Sequence, residues 1–252
     1  MTGVDVKSTP ERTDKLQEEE EKVDGRYTFV QGCFSTSVDD AFTPDIIIHL
    51  AGLAGVRQSS IHPADYVTTN VALSANMYSK TTAPVLYASS SSVYGDLAST
   101  SDVACREDMV LPTPTSIYAL TKRMPYMLPG KLLSSDEIKM FQHASGRPMR
   151  RDFTYVKDIV RWITGLVLID NGVYNFSVYN MGNGRPTTIS EFIEKVENAT
   201  GKRFTKTNAP APKADVNKTH CDKARLKSEL GERWSITPLD ESVRRTYSAS
   251  EF

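Results

Sequence analysis

The sequence predicts an α/β fold built on a doubly wound parallel sheet, and this prediction depends on the order of a few segments. An apolar run at 45–50 (DIIIHL) is followed by a helical pattern at 62–80 (HPADYVTTNVALSANMYSK) and by a second apolar run at 84–88 (PVLYA). Continuous apolar runs are typical of strands that are covered on both faces of a parallel sheet. A strand, a crossover helix and a second strand form a unit whose ligands bind at the carboxyl ends of the strands. We therefore expect Ile46, Ile47 and Ile48 in the core and a site directly after the second run.

Size and composition limit the class of protein. With 252 residues, of which 39% are hydrophobic, the chain fits one large α/β domain or a domain with a small lobe. Its 30 basic and 31 acidic residues leave no net field that would attract nucleic acid or an anionic membrane. Cys33, Cys105 and Cys221 show neither disulfide nor zinc-ligand spacing, and no run approaches the roughly 20 apolar residues of a membrane span. We expect a soluble, cytoplasmic protein that binds no metal, no nucleic acid and no membrane.

The remaining segments supply the other elements. Residues 1–26 carry almost no large apolar side chains and include the charge run DKLQEEEEK, which predicts a polar, disordered lead-in. Further along, we expect a short strand at 27–32, a helix within 152–170, a strand and a Gly-containing turn before an amphipathic helix that begins near Thr188 or Ser190, and a short helix within 217–231. The helix at 62–80 should turn its apolar side chains to the core, namely Tyr66, Val67, Val71, Leu73, Met77 and Tyr78.

Two groups of residues suggest chemistry. Hydroxyl side chains at Ser89 to Ser92 follow the second apolar run, and Tyr118 and Lys122 lie four residues apart in a helical pattern, which places both on one helix face. Such a spacing also arises by chance, so a solvated helix surface is the simpler interpretation of the pair alone. The chemical interpretation is proton abstraction from a sugar hydroxyl. A phenol with its ordinary pKa near 10 needs a neighbouring cation to act as a base, and a serine hydroxyl relays the proton.

The chain resembles a known family in a set of ordered segments: DIIIHLAGLAGVRQSSIHPADYVTTNV, YASSSSVYGD, SIYALTK, RRDFTYVKDIV, YNMGNGRPTTISEFI and ADVNKTHCDKARLKSELG. These segments resemble the extended short-chain dehydrogenase/reductases of the NAD-dependent epimerase/dehydratase family, most closely the UDP-glucuronate 4-epimerases, over residues 27–122 and 147–246. The resemblance implies a Rossmann-like doubly wound sheet, here incomplete, with a small C-terminal substrate lobe. It divides the chain into a truncated NAD-binding domain at 27–146 and, at 147–252, the last sheet elements with the nucleotide-sugar-binding lobe.

The resemblance also implies roles for individual residues. The catalytic set would be Ser90, Tyr118 and Lys122. Positions that bind the substrate would be Ser91 and Ser92 at the sugar carboxylate, Arg151 at the UDP diphosphate and Asp215 at the uridine ribose. Positions that bind NAD would be Ala51, Gly52, Tyr118 and Lys122. Simpler interpretations stay open, because the serine run also suits a flexible polar loop and Arg151 also suits a salt bridge with Asp152 or Asp158. His49 and Asn70 are expected to be structural.

The activity implied by the resemblance is interconversion of UDP-glucuronate and UDP-galacturonate through a transient 4-keto sugar. NAD is the implied cofactor and is regenerated in each cycle, and a UDP-sugar is the implied substrate. Two other functions stay open: a non-catalytic relative that serves as a binding or structural subunit, and a nucleotide-sugar dehydratase.

The sequence departs from the family pattern in two places. Residues 1–26 contain only Gly3 and Gly25, so we expect the Gly-rich NAD loop, its βαβ unit and the acidic residue that follows to be absent. Cys33 stands where the family has an aspartate that contacts adenine. After Lys122, Pro125 interrupts the helix, and a core strand is expected to be missing before residue 147. The strand at 46–50 would then be an exposed edge, and we expect a homo-oligomer or a partner that covers it.

Overall fold

The computed structural model describes residues 2–5, 28–34, 43–81, 83–97, 103–109, 111–123, 137–142, 148–169, 177–210 and 216–250. The chain forms two compact units, one of Met1–Ser90 with Ser116–Gly130 and the other of Ser91–Thr115 with Lys131–Phe252. This division differs from the expected continuous domain at 27–146, because residues 91–115 group with the C-terminal half of the chain. The overall fold is the Rossmann-like α/β fold that the sequence predicts.

The described strands of the first unit pair in parallel. Strand β1 (Thr2–Asp5) pairs with β2 (Thr28–Gln31), and β3 (Ile47–His49) pairs with β4 (Val85–Tyr87). Strand β1 falls within the segment expected to be a disordered lead-in, so that expectation is wrong for these residues. The strand has β-branched residues at every second position, which favours extended backbone. Pairing with β2 satisfies its backbone N–H and C=O groups, so the strand forms although the segment has few apolar side chains. The rest of the lead-in, at 6–27, lies outside the described residues.

One face of the long helical segment of the first unit is buried. Helix α1 (Val56–Ile61) is followed by α2 (Pro63–Val67), a π-helical turn (Thr68–Ala72) and α3 (Leu73–Ser79). The buried side chains on the last three are Tyr66, Asn70, Ser74 and Met77. Two residues expected on this face, Val67 and Leu73, are instead exposed. Polar Asn70 and Ser74 occupy the buried face instead, which is tolerated because their hydrogen-bonding groups are satisfied.

Strand β3 is only partly covered. Ile47 is half-buried, whereas Ile48, which points to the opposite face, is 42% exposed, so the expected core placement of Ile48 is wrong. Among the described strands, β3 pairs with β4 alone. Leu50, directly after the strand, is also exposed.

The second unit contains short strand pairs and helices. Strand β5 (Glu137–Gln142) pairs in parallel with β8 (Thr205–Pro210), and β6 (Arg150–Arg151) pairs in antiparallel fashion with β7 (Thr187–Thr188). Its helical elements are a 3₁₀ turn (Ser91–Tyr94), α5 (Val156–Val167), α6 (Ile189–Thr200), α7 (Ala224–Leu230), a second 3₁₀ turn (Gly231–Arg233) and α8 (Leu239–Ser250). Helix α4 (Ile117–Arg123) belongs to the first unit.

The core of the second unit lies between α5 and α7. Trp162, Leu226 and Leu230 are fully buried together, and Trp234 stacks on Trp162 with 4.8 Å between ring centroids. The Trp162 indole N–H donates to the carbonyl oxygen of Ser235 at 3.1 Å, so the buried polar edge of this ring is satisfied.

The start of α6 is where the sequence predicts it. Thr188 is the N-cap: its hydroxyl accepts from the backbone N–H of Glu191, and the Glu191 carboxylate accepts from the backbone N–H of Thr188. The strand expected before this helix lies partly at 172–176, outside the described residues, and the described residues 177–181 have no regular secondary structure.

The segment between Lys122 and residue 147, where a core strand of the NAD-binding domain is expected to be missing, contains the described strand β5. It pairs with β8 and belongs to the second unit. Pro125 and the rest of 124–136 and 143–147 lie outside the described residues.

An isolated backbone bridge in the second unit joins two cysteines. The Cys105 N–H donates to the His220 carbonyl oxygen, and the Asp222 N–H donates to the Cys105 carbonyl oxygen, both at 2.9 Å, so Cys105 and Cys221 lie opposite each other. Neither cysteine forms a disulfide bond. In the part of the chain that the structure describes, no helix has the length and apolar character that a membrane crossing requires.

Candidate active site

Helix α4 carries Tyr118 and Lys122, and both side chains are buried. The hydroxyl of Ser116 accepts from the backbone N–H of Ala119 at 3.0 Å, which fixes the first turn of the helix. Tyr118 is 5% exposed and Lys122 is fully buried, whereas Leu120 between them is exposed. The interpretation of this pair as a solvated helix surface is therefore wrong.

Tyr118 and Ser90 are brought together, as the resemblance implies. Burial raises the pKa of the Tyr118 phenol, and a hydrogen bond with the Ser90 side chain opposes part of that shift. The ring of Tyr66 packs edge-on against the Tyr118 ring, with 6.2 Å between centroids and an angle of 88° between the planes. The phenol therefore has a defined hydroxyl neighbour and a fixed ring orientation.

Lys122 is a buried ammonium group. Burial lowers its pKa to about 8, and among the described residues its Nζ has no hydrogen-bond partner. A Cβ on Gly52 would lie 2.6 Å from this Nζ and 2.9 Å from Oδ1 of Asn70. Only glycine fits at position 52 without displacing one of these two groups.

Asn70 links the loop after β3 to helix α4. Its Oδ1 accepts from the Leu53 N–H at 2.7 Å, and its Nδ2 donates to the Leu53 carbonyl oxygen at 3.0 Å and to the Thr121 hydroxyl at 3.2 Å. These bonds satisfy a fully buried side chain and agree with the structural role expected for it. The signal in the sequence is a polar residue four positions after Tyr66 on the buried helix face.

His49 is a structural residue, as expected. Its Nε2 lies 2.9 Å from the Ser74 hydroxyl, and burial together with the charge of Lys122 lowers its pKa to about 4. The imidazole is therefore neutral at pH 7.

The residues around Lys122 fit a dinucleotide cofactor of the kind that the resemblance implies. A buried ammonium has donors and no acceptors, so its unpaired Nζ suits the hydroxyl oxygens of a ribose. The glycine at position 52 lets the backbone approach a ligand closely. Of the expected NAD contacts, Ala51 is exposed and Gly52 is half-buried.

Asp5 is a further candidate cofactor contact, at a position that is expected from the sequence to be part of the polar lead-in. Asp5 is the last residue of β1 and pairs with Gln31 of β2. An acid at the carboxyl end of a parallel strand is the position from which a dinucleotide-binding fold contacts ribose hydroxyls. The sequence signal for this position is a short strand pattern, with β-branched Thr2 and Val4 two residues apart, followed directly by an acid.

In the second unit, the other expected substrate residues lie on separate elements. Ser91 is exposed and Ser92 is half-buried in the 3₁₀ turn, whose end is held by the Tyr94 hydroxyl, which donates to Oδ1 of Asn180 at 2.9 Å. Asp215 lies outside the described residues.

Arg151 lies on β6 and is half-buried. Its guanidinium Nη1 donates to the carbonyl oxygens of Arg150 at 2.8 Å and Asn217 at 3.3 Å. Of the two aspartates considered as its partners, Asp158 pairs with Arg161 at 2.9 Å. Asp152 accepts from the backbone N–H groups of Gly184 and Cys221, while burial raises the pKa of its carboxyl.

Comparison with known proteins identifies the family of this chain. The model of the family described as "NAD dependent epimerase/dehydratase family" matches residues 1–129, which includes the segment expected to be a polar, disordered lead-in. Protein CapI from Staphylococcus aureus is 30% identical, covering 71% of this chain and 68% of its own length. A probable UDP-glucuronate 4-epimerase from Rhizobium meliloti is 28% identical, covering 80% of this chain and 73% of its own length.

Among solved structures, a mutant of UDP-glucuronic acid 4-epimerase from Bacillus cereus, in complex with a fluorinated UDP-glucuronic acid and NAD, superposes with a TM-score of 0.80. It is 20% identical, and the match covers 99% of this chain and 90% of that one, which supports the shared fold. With the family model matching more than half of its residues, the chain belongs to the NAD-dependent epimerase/dehydratase family.

Proposed function

We propose that the chain is a nucleotide-sugar 4-epimerase that interconverts UDP-glucuronate and UDP-galacturonate with NAD as its cofactor. The observation that carries the proposal is the hydrogen-bonded pair of Ser90 and Tyr118 on the same unit as the buried cation of Lys122. Membership of an NAD-dependent family supports the reaction class, and relatives named as UDP-glucuronate 4-epimerases support the sugar.

The side chains of the first unit supply the proton chemistry. Tyr118 accepts the proton of the sugar C4 hydroxyl and later returns it. Because burial raises the pKa of the Tyr118 phenol, the phenolate needs stabilisation, and the Ser90 hydrogen bond supplies part of it. We propose that the Lys122 ammonium, one helical turn along α4, supplies the rest. When bound, NAD supplies a reversible hydride acceptor for C4.

The family resemblance suggests which remaining residues contact the cofactor and the substrate. We infer that Lys122, Ala51 and Gly52 hold the cofactor near the sugar and that Asp5 binds its adenosine ribose. The substrate contacts are Ser91 and Ser92 for the carboxylate, and Arg151 and Asp215 for UDP. Serine hydroxyls suit this role because they donate to a carboxylate without adding a charge.

The central test is Tyr118→Phe in an assay that separates UDP-glucuronate from UDP-galacturonate by chromatography. Loss of the phenol removes the base, so turnover should fall by at least about a hundredfold, within the usual range for general base catalysis. Tyr179→Phe, in the second unit, is the matched control and should retain turnover. Wild-type turnover in Tyr118→Phe would show that the base lies elsewhere.

A second measurement separates the enzyme from a non-catalytic relative. The nucleotide content of the purified chain, released by acid and analysed by mass spectrometry, should include NAD. A chain that binds UDP in calorimetry but neither retains nor binds NAD would support the binding-subunit alternative. A dehydratase would instead yield a 4-keto-6-deoxy sugar from a UDP-hexose, which the same chromatography distinguishes.

A further inference from the structure

We propose that Ser59, a residue outside the catalytic set, is a positioning residue for Tyr118. Its side chain is fully buried, and its Oγ accepts a hydrogen bond from the backbone N–H of Tyr118 at 3.0 Å. The two residues are 59 positions apart in the chain, so this is a tertiary contact between α1 and α4.

The contact completes the N-terminal turn of the helix that carries the base. A helix leaves its first N–H groups without intrahelical partners, and each needs an acceptor when it is buried. In α4, the Ala119 N–H donates to the Ser116 hydroxyl and the Leu120 N–H donates to the Ser116 carbonyl oxygen, both at 3.0 Å. Ser116 therefore satisfies two donors locally. The N–H of Tyr118 itself is satisfied by Ser59.

The Ser59 hydroxyl is itself held in place. It donates to the carbonyl oxygen of Val56 at 2.6 Å, within its own helix, so its hydrogen points away from Tyr118 and its oxygen is left to accept. Tyr66 supports the same arrangement from the other side, because its hydroxyl donates to the Ala54 carbonyl oxygen at 2.5 Å while its ring packs edge-on against that of Tyr118. The backbone and the ring of the base are thus both fixed by the segment at 54–66.

This placement has a consequence for turnover that rests on the proposed function. General base catalysis depends on the distance between the phenol oxygen and the substrate proton, and a small displacement of a catalytic group is costly. Ser59 contacts neither a reacting atom nor the Tyr118 hydroxyl in any described bond. Its removal should therefore reduce kcat without weakening the binding of the nucleotide.

The test has two arms, and only one depends on activity. In the first, amide hydrogen exchange is measured by mass spectrometry on peptides that cover 116–121 in the full-length chain. Ser59→Ala should accelerate exchange in these peptides, whereas Ser242→Ala, which removes a buried hydroxyl from the second unit, should not. Unchanged exchange in Ser59→Ala would overturn the proposal, whatever reaction the chain catalyses.

In the second arm, kcat and KM are measured for UDP-glucuronate. Ser59→Ala should lower kcat by about tenfold to a hundredfold, the range for a misplaced catalytic group, with KM unchanged. A chain whose exchange accelerates but whose kcat stays at the wild-type value would overturn the positioning role. If wild type shows no epimerisation, the proposed function fails, and the exchange arm still decides whether Ser59 holds Tyr118.

A Ser59→Cys variant covers the case in which alanine prevents folding. Its thiol keeps a side chain at the site but is a weaker acceptor than a hydroxyl. Exchange at 116–121 should then be faster than in wild type, and exchange equal to wild type would overturn the proposal.

Discussion

At the scale of the residue, the active site contains a buried ammonium that folding disfavours. Lys122 is fully buried and its Nζ has no hydrogen-bond partner among the described residues, so burial lowers its pKa from 10.5 to about 8. A group with a lowered pKa in the folded state binds fewer protons there than in the unfolded state. Lys122 therefore reduces stability at neutral pH.

The sign of this effect predicts how stability changes with pH. Below about pH 8 the ammonium is present in both states and its burial cost is complete, and the cost is relieved as pH rises from about 8 to 10.5. Lys122→Met, which keeps the apolar length, should therefore be more stable than wild type by about 3 kcal/mol at pH 7, and the difference should shrink across that window. Urea unfolding at several pH values measures it. Lys202→Met, at an exposed lysine, should show no such trend, and a pH-independent difference for Lys122→Met would contradict the prediction.

At the scale of the element, α5 and α7 approach each other closely at a glycine. A Cβ on Gly165 would lie 2.7 Å from Cδ2 of Leu230, which is itself buried in the core with Trp162. Glycine in a helix interior usually costs about 1 kcal/mol relative to alanine. Here the close contact with α7 reverses that preference.

Gly165→Ala should therefore destabilise the chain, by about 1–3 kcal/mol, as overpacking of a filled core does. Thermal or urea unfolding measures the change. Leu230→Ala provides the matched background, because it removes the side chain that the new methyl group would meet. Addition of Gly165→Ala to Leu230→Ala should cost less than it costs in wild type, and strict additivity would show that the two residues do not compete for the same space.

Local patterns predict the elements better than they predict burial. The start of α6 can be predicted from the capping pair Thr188 and Glu191, because both of its hydrogen bonds form within one helical turn. The spacing of Tyr118 and Lys122 can be recognised in the sequence. Their burial cannot be predicted from it, because burial depends on the packing of α1 and α2 against α4. The contact of Ser59 with Tyr118 cannot be predicted for the same reason, because the two residues are 59 positions apart in the chain. Strand β1 cannot be predicted from its own composition, because it forms by pairing with β2.

At the scale of the whole molecule, apolar side chains are exposed on strand β3 and directly after it. Ile48 and Leu50 are both more than a third exposed, and among the described strands β3 pairs only with β4. An open strand with apolar side chains is a site for association with another chain. This agrees with the edge that the sequence predicts.

The chain should therefore self-associate as its concentration rises, and Ile48→Lys should weaken that association because a charge on an edge strand opposes pairing. Sedimentation velocity over a range of concentrations measures both. Ile61→Lys is the control, since Ile61 is also exposed but lies at the end of α1 rather than on a strand. Equal association of Ile48→Lys and wild type would show that β3 is not the contact.

The backbone hydrogen bonds that hold Cys105 opposite Cys221 make the two thiols a probe of opening in the second unit. Cys105 is buried, and burial together with the nearby Asp152 raises the pKa of the Cys221 thiol, so little of the reactive thiolate forms at neutral pH. Both thiols should therefore resist alkylation while the two backbone segments stay hydrogen-bonded. Their labelling rate under native conditions then measures how often residues 105 and 221 separate, and so reports local opening of the second unit.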